Sequence, residues 1–343
     1  MAIDQRQQVR EQTQHLIAKF ATGDAQHLPS LFRSIYGDHY LSAEVYRPEA
    51  FISANANGTC NSLVALDRCG LPIGHLGILR SAPHAGVREL GQGVVDLNHR
   101  TQGLLGQLID ACISEADRDP GCHGLFGAAL TNHVFSQRAL WKAEFVDVGF
   151  EIGFVPARMM QIEAPGAGPT ATVLQYRAMD DAPSKVCYLP SAYSDLALAL
   201  YEQMRLTRVY ATSDQPLDLA GPGQMEVIDL PRFDLVRINV WRIGNDLTAY
   251  IGRAVAEARR KGRTMVQLAL SLNSPCTDAA VEAMRAAGFW FGALLPRWMD
   301  DDALLLQRAI GRPWFGDIEL YTNDAKALLR FVQEDAARQP VLL

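Results

Sequence analysis

The sequence predicts an α/β fold, of the α+β kind, with a mixed central sheet flanked by helices. Three observations predict it. Short apolar runs bounded by turn-formers alternate with segments of helical period, a glycine turn joins the end of one strand to a central helix, and the pattern partly repeats in the second half.

With 343 residues the chain exceeds one ordinary core and is long enough for two domains. A hydrophobic fraction of 48% and a charged fraction of 20% have the balance of a globular protein. The net charge of −6 argues against a broad nucleic-acid surface, which needs clustered surplus Lys and Arg. No apolar run approaches the roughly 18–20 residues of a membrane helix, so no membrane partner is expected. The polar opening Met1–Gln14 does not fit the apolar core of a secretory signal. Cys60, Cys69, Cys112, Cys122, Cys187 and Cys276 form neither a C-x-x-C pair nor a dense framework, which reads as reduced thiols in a cytoplasmic protein. All eight histidines lie in the first 133 residues, and no pair at i, i+4 has a third ligand, so no metal is expected.

In chain order, helical spacing of Val9, Leu16, Ile17 and Phe20 predicts a helical start, followed by a short helix over Leu28–Ser34. Strands follow at Ser62–Leu66, Ile73–Leu79 and Leu90–Val95, separated by Cys69–Pro72 and Pro83–Gly86. Leu104–Ala116 reads as a helix, Gly124–Ala129 as a buried strand, Phe135–Ala143 as a helix and Val146–Phe154 as a strand. The stretch Glu163–Thr170 has the composition of a linker and suggests domains at 1–163 and 164–343. Beyond it, strands are expected at Thr172–Tyr176, Lys185–Leu189, Met225–Leu230, Leu235–Val240, Thr264–Leu270 and Phe289–Leu295. Helices are expected at Ala192–Met204, Leu247–Lys261, Thr277–Ala287 and Asp324–Ala336. Leu140–Phe145 and Met284–Phe289 occupy matching places before the last strand of each half, which suggests two copies of one fold.

The most informative segment runs from Gly93 to Leu108. A strand ends, a turn follows, and Gly103 and Gly106 sit where a helix begins. Backbone N–H groups at such a helix start are unpaired and the helix dipole adds positive partial charge. Glycines let a phosphate approach the backbone closely, and Arg100 could add a charge-assisted hydrogen bond. A strand-to-helix turn with glycines chosen only for packing fits the same residues. No G-K-[ST] follows, so this is not a Walker loop, and the G-x-x-G spacing is not a dinucleotide fingerprint.

Arg100-Thr101-Gln102-Gly103-Leu104-Leu105-Gly106-Gln107-Leu108 resembles the acetyl-CoA loop of the GNAT superfamily of N-acetyltransferases, R/Q-x-x-G-x-G/A. Ala143-Glu144-Phe145 and Ala287-Gly288-Phe289 resemble that family's GF element, with Glu144 where the family has Gly. Thr131–Gln137 is similar to a TxHxxSQ-type segment of long family members. The resemblance covers about Phe32 to Phe154 and is fainter in the second half; Leu105 stands at the loop's final Gly/Ala position, with Gly106 one residue later.

The resemblance implies acyl transfer, most often acetyl, from acetyl-CoA or another acyl-CoA to a primary amine of a small molecule or peptide, with no metal. It places pyrophosphate on the N–H groups of Gln102, Gly103, Leu104, Leu105 and Gly106, beside Arg100 and Thr101. Pantetheine then lies along Leu90–Val95, including Val94 and Val95. Glu89 stands where the family often carries a basic carboxylate, though an ordinary strand-end carboxylate fits as well. Leu140 holds the family's Tyr position, leaving His133 and Ser136 as the nearby polar groups for acid work; a structural His and a helix cap fit these two equally. In the second half Asp246 would repel a pyrophosphate at the corresponding helix start, so no CoA is expected there, and shaping the acceptor pocket, dimerising or bracing are the roles left. Arg259, Arg260, Lys261 and Arg263 read as a solvated helix end. Two other functions stay open: a tandem transferase using an aminoacyl or carrier-bound donor, and a non-catalytic acyl-CoA sensor.

Overall fold

The computed structural model describes residues 15–100, 102–160, 168–180, 186–219 and 221–340. The first half opens with strand β1 (Leu16–Lys19), helices α1 (Leu28–Tyr36) and α2 (Pro48–Ala56), then strands β2 (Cys60–Leu66), β3 (Pro72–Leu79) and β4 (Val87–Val95). Helix α3 (Leu104–Asp117), β5 (Gly124–Leu130), α4 (Phe135–Lys142), β6 (Val146–Val155) and β7 (Thr170–Ala178) follow. The predicted helical start is corrected: Leu16–Lys19 is a strand paired antiparallel to Leu63–Leu66, because the edge of β2 offers it a ladder that local helical spacing cannot compete with. Val9 lies outside the described residues.

Alternation on β2 divides two cores. Leu63 and Ala65 face the large core with α3, while Val64 and Leu66 join a smaller one with Leu28, Phe32 and Phe51 of α1 and α2. Between β3 and β4 a buried imidazole fixes an irregularity. Gln92 has φ 55, and His75 Nδ1 lies 2.8 Å from its carbonyl oxygen while Nε2 lies 3.0 Å from Ser62 Oγ. With Nδ1–H donating to Gln92, Nε2 accepts from Ser62. Burial keeps this ring neutral and lowers its pKa to about 4.

In the second half, β8 (Val186–Tyr188) and β9 (Val209–Ala211) form a separate parallel pair around α5 (Ser194–Gln203). Strands β10 (Gln224–Leu230), β11 (Leu235–Arg242), β12 (Met265–Ser271), β13 (Trp290–Leu295) and β14 (Ala303–Ala309) continue the main sheet. Helices α6 (Leu247–Arg260), α7 (Thr277–Ala286) and α8 (Asn323–Arg338) cover it. Lys185 and most of the linker, residues 161–167, lie outside the described residues.

The strand expected to open the second half lies instead within the first: β7 sits between β5 and β6, antiparallel to both. Its sequence neighbours are in the second half, but its hydrogen-bond partners are not. The twelve-stranded order is β1-β2-β3-β4-β5-β7-β6-β13-β14-β12-β11-β10. Around the β6–β13 seam, the order β4-β5-β7-β6 is thus read backwards as β13-β14-β12-β11. Arg259 through Arg263 are a paired helix end, with Arg260 on Glu257 and Lys261 and Arg263 on Asp229.

The matching helix ends share a backbone. Phe145 N–H bonds to Leu140 O and Glu144 N–H to Trp141 O; Phe289 N–H bonds to Met284 O and Gly288 N–H to Arg285 O. Glu144 has φ 62 and Gly288 φ 85. Glu144 therefore adopts the conformation a glycine takes freely, and Arg177 holds it by bonding both its carboxylate (2.8 Å) and the Ala143 carbonyl (2.7 Å).

The seam is narrow. Strands β6 and β13 pair at Gly149↔Ala293 alone, and Gln307 substitutes for missing ladder: its Oε1 accepts from Ile152 N–H and its Nε2 donates to Phe150 O, both 2.9 Å. A Cβ on Gly149 would stand 2.1 Å from Gly292 O, so only glycine permits this approach. Gly149→Ala is expected to cost about 2 kcal/mol or more, read as a lower denaturation midpoint. His75 gives a second test. The unfolded ring, with pKa about 6.5, takes up its proton before the folded one does. Stability from the neutral ring is therefore complete above that pH and falls away toward pH 4. Denaturant titrations should show a loss on the order of 3 kcal/mol over that window in wild type that His75→Gln lacks.

Candidate active site

Strands β4 and β5 are parallel and pair at Val87↔Gly124, Arg88↔Leu125 and Glu89↔Phe126. Beyond Glu89 they part, β4 running to Val95 and β5 to Leu130, with no further register pairs between them among the described residues. On their outer sides both stay paired, β4 to β3 and β5 to β7. The facing edges therefore present a wedge of backbone N–H and C=O groups to whatever enters. An extended amide-bearing chain is the natural guest of such edges.

The wide end of the wedge meets the start of α3. Gly103 is the N-cap in left-handed conformation, φ 75, with no side-chain cap. Gln107 N–H makes the first intrahelical bond, to Gly103 O at 3.1 Å, so the N–H groups of Leu104, Leu105 and Gly106 precede the ladder. A Cβ at Gly103 or Gly106 would meet nothing within 4 Å. The side chain of Leu105 is partly buried against the core and reaches to within 3.9 Å of a Cβ placed on Gly93, which keeps it off the helix mouth. The displaced glycine therefore leaves the donors accessible. Arg100 and Gln102 are exposed beside them, Val94 is core, Val95 half-buried, and Thr101 lies outside the described residues.

The narrow end of the wedge opens on a cavity of about 100 Å³. Glu89 and Phe126, the last pair before the strands part, line it together with Ser81, Tyr176, Trp298 and Arg237 among others. Strand β11, which carries Arg237, lies seven strand spacings from β4, about 33 Å in a flat sheet. Yet Glu89 and Arg237 line the same cavity, so the sheet curls and the cavity occupies its concave face. Burial, reinforced by the Glu151 carboxylate and opposed by a Ser81 hydrogen bond and by Arg237, raises the Glu89 pKa above the ordinary carboxylate range.

Arg237 is committed elsewhere. Its Nη2 donates to Glu151 Oε1 at 2.5 Å and its Nε to Gln267 Oε1 at 3.0 Å. Glu151 also accepts from Gln267 Nε2 at 3.2 Å and from Thr172 Oγ1 at 3.0 Å. The two halves thus share one neutralised ion pair, and Glu89 is the remaining carboxylate among the lining residues.

His133 and Ser136 do not line this cavity. His133 follows the end of β5 at the mouth of the wedge, where burial and the charge of Arg100 lower its pKa. Its Nδ1 and the Oδ1 of neighbouring Asn132 are buried without a partner among the described residues. Ser136 is the second residue of α4, whose N-cap is Val134, so it is not the cap considered from sequence. Gln137 proves structural: its Nε2 donates to Leu130, His133 and Glu319 carbonyls and its Oε1 accepts from Tyr321 N–H, tying the mouth to the second half.

Sequence reasoning missed Tyr176, Arg237 and Trp298. An apolar run, a charged strand position and a loop aromatic carry no local mark of a shared cavity.

The corresponding places in the second half are closed. Strands β11 and β12 stay paired from Leu235↔Met265 to Val240↔Leu270. Arg237, opposite Gln267, holds the position that Glu89 holds opposite Phe126. At the start of α6, Asp246 does not cap the helix with its side chain; it accepts from Gly223 N–H at 2.9 Å. A Cβ on Gly244 would stand 2.0 Å from Gly223 N, so a loop of the chain covers that helix mouth.

Neither protein-family models nor curated proteins gave a match to this chain. Solved acetyltransferases are what half of it is similar to. A ribosomal-protein-S5-alanine acetyltransferase from Vibrio fischeri is 15% identical over 50% of this chain and 96% of its own, with a TM-score of 0.40. An N-acetyltransferase from Staphylococcus aureus Mu50 is 14% identical over 49% and 100%, TM-score 0.41. A Salmonella typhimurium structure with its cofactor acetyl-CoA is 15% identical over 50% and 98%, TM-score 0.41.

Arg237→Met leaves Glu151 as a buried, uncompensated carboxylate and is expected to cost on the order of 3 kcal/mol of stability. Adding Glu151→Gln should recover most of it, which a double-mutant cycle by chemical denaturation would measure.

Proposed function

We propose that this protein is an acyl-CoA-dependent N-acyltransferase with a single donor site, in the wedge between β4 and β5. The observation that carries the reading is the continuity of three parts: an open helix start, two unpaired strand edges, and a raised-pKa carboxyl where the strands meet. The glycine cradle at Gly103 to Gly106 and the unpartnered polar atoms of Asn132 and His133 at the same mouth fit an acyl-CoA. When bound, the acyl-CoA supplies the acyl group as a thioester.

The N–H groups of Leu104 to Gly106, with Arg100, hold its phosphates. Strand β4 from Glu89 to Val95, about 20 Å of extended chain, aligns the pantetheine amides. The acceptor amine enters the concave cavity, and Glu89, reached directly or through water, takes the proton that the amine must lose. Apolar walls partly bury the Glu89 carboxyl, which keeps it proton-hungry. His133 belongs with the donor mouth in this reading, and Ser136 has no assigned part.

The two halves, divided after β7, are two copies of one fold of which only the first keeps a wedge. Full pairing of β11 with β12, the covered α6 start and Arg237 in place of a carboxylate support a bracing and pocket-shaping role for the second. A small-molecule amine suits the enclosed cavity better than a peptide.

Gly103→Asp puts both a carboxylate and an unfavourable φ at the helix mouth, and calorimetry should show acetyl-CoA affinity falling at least about tenfold. Unchanged affinity would show that phosphate does not bind there. Glu89→Gln should leave acetyl-CoA binding in place while turnover falls by roughly 10²-fold or more. In wild type, kcat/KM should rise with pH through the raised Glu89 pKa, because the base acts ionised; in the variant this limb should vanish.

A further inference from the structure

Glycine inside a strand weakens it, and marks either a bulge or a place where something must come close. Gly91 lies in β4, two residues past the Glu89↔Phe126 pair. There β4 keeps Gly77 of β3 as its outer partner and has no inner register pair among the described residues. The backbone does not require glycine at this position. Positive φ in this irregular stretch falls on Gln92, and Gly91 does not share it. The constraint is room. A Cβ on Gly91 would stand 2.8 Å from Glu89 Oε1, 3.2 Å from Glu89 Cδ and 2.7 Å from Leu79 Cδ1.

Residues two apart along a strand share a face, about 7 Å from one another, and their side chains stand roughly perpendicular to the sheet. The Glu89 side chain instead lies down along β4, with its carboxyl over the place a side chain of residue 91 would take. Leu79, its register partner on β3, leans over the same residue and flanks the carboxyl with an aliphatic wall. We propose that Gly91 is a positioning residue. By lacking a side chain it lets the Glu89 carboxyl lie forward into the wedge instead of standing upright where the strands still pair. The proton acceptor then reaches the stretch of β4 that aligns the pantetheine, where an amine would meet the thioester. This rests on the acyltransfer reading for the reaction that Glu89 serves, and on the Gly91 geometry for where its carboxyl lies.

Other ionisable groups whose charges reach Glu89 are Cys60 of β2, Glu151 of β6 and Arg237 of β11. Glu151 and Arg237 are bonded to each other, and burial keeps Cys60 a thiol. Cys60 Sγ leans over Gly77 as Glu89 leans over Gly91, standing 2.9 Å from a Cβ placed there. The paired glycines thus form a bare floor on β3 and β4, and Glu89 is the carboxylate free to take a proton above it.

Crystal structures of unliganded wild type and Gly91→Ala test the placement. Wild type should hold the carboxyl over Gly91, and the variant should show it rotated away with β4 unmoved. Kinetics test the consequence, with acetyl-CoA as donor, isobutylamine, 2-phenylethylamine and 1,4-diaminobutane as acceptor probes, and free CoA thiol as readout. Gly91→Ala should lower kcat about tenfold or more, because a base displaced by an ångström loses much of its effect. KM and calorimetric affinity for acetyl-CoA should stay within about twofold of wild type. The melting temperature should fall by no more than about 2 °C, since the crowded atoms belong to flexible side chains. In a Glu89→Gln background, adding Gly91→Ala should cost no further activity. A carboxyl that keeps its place in the variant, an unchanged kcat, weakened acetyl-CoA binding, a larger fall in melting temperature or an equal loss in the Glu89→Gln background would each overturn the positioning role. Wild type that releases CoA with none of the amines, while its carboxyl lies over Gly91, would instead overturn the acyltransfer reading and leave the placement standing.

Discussion

Two parallel strands that cease to pair partway along their length impose the main constraint on this structure. Past Glu89 and Phe126, β4 and β5 each keep an outer neighbour and expose an inner edge. Unpaired backbone groups inside a protein are costly unless a partner supplies the missing hydrogen bonds. The wedge is therefore a place for an extended, amide-bearing guest. It also fixes the other two parts of the site, since α3 starts where β4 ends and the cavity begins where the strands still touch. Irregularity in β4 is itself held from behind by neutral His75 on the Gln92 carbonyl.

The second half answers the same topology in the opposite way. Its parallel pair is zipped along six register positions, its helix start is covered by Gly221–Gly223, and the place of Glu89 is taken by an arginine. That arginine then reaches back to Glu151 and joins the halves through a buried pair. A buried ion pair contributes little net stability when complete and costs much when broken, so it suits fixing geometry. Here the geometry is the curl of a twelve-stranded sheet around one cavity.

Much of the open helix start that we propose as the donor mouth was legible locally. The turn at Gly103, the periodic face of α3 and the apolar strand before it are adjacent in sequence, and neighbouring residues impose them on one another. Glu89 was legible only through resemblance, because a strand-end carboxylate has no local signature of burial. His133 was legible as a polar group near the site but not as a resident of the mouth, since the direction of a loop after a strand depends on what packs over it. Gln137 and the segment Glu319–Tyr321, nearly two hundred residues away in sequence, settle that direction.

By itself the sequence determined the types of most elements, the one glycine turn suited to anions and the repetition of the helix end at Phe145 and Phe289, because these rest on spacing within a few turns or strands. It did not mark the helix Pro48–Ala56 or the strands Val209–Ala211 and Ala303–Ala309. Tertiary structure alone decided that Leu16–Lys19 is an edge strand, that β7 belongs between β5 and β6, and that Tyr176, Arg237 and Trp298 share a cavity with Glu89. Each of these depends on which strand edges meet. Hydrogen-bond partners across a sheet are chosen by the whole chain, and no local pattern of residues records the choice.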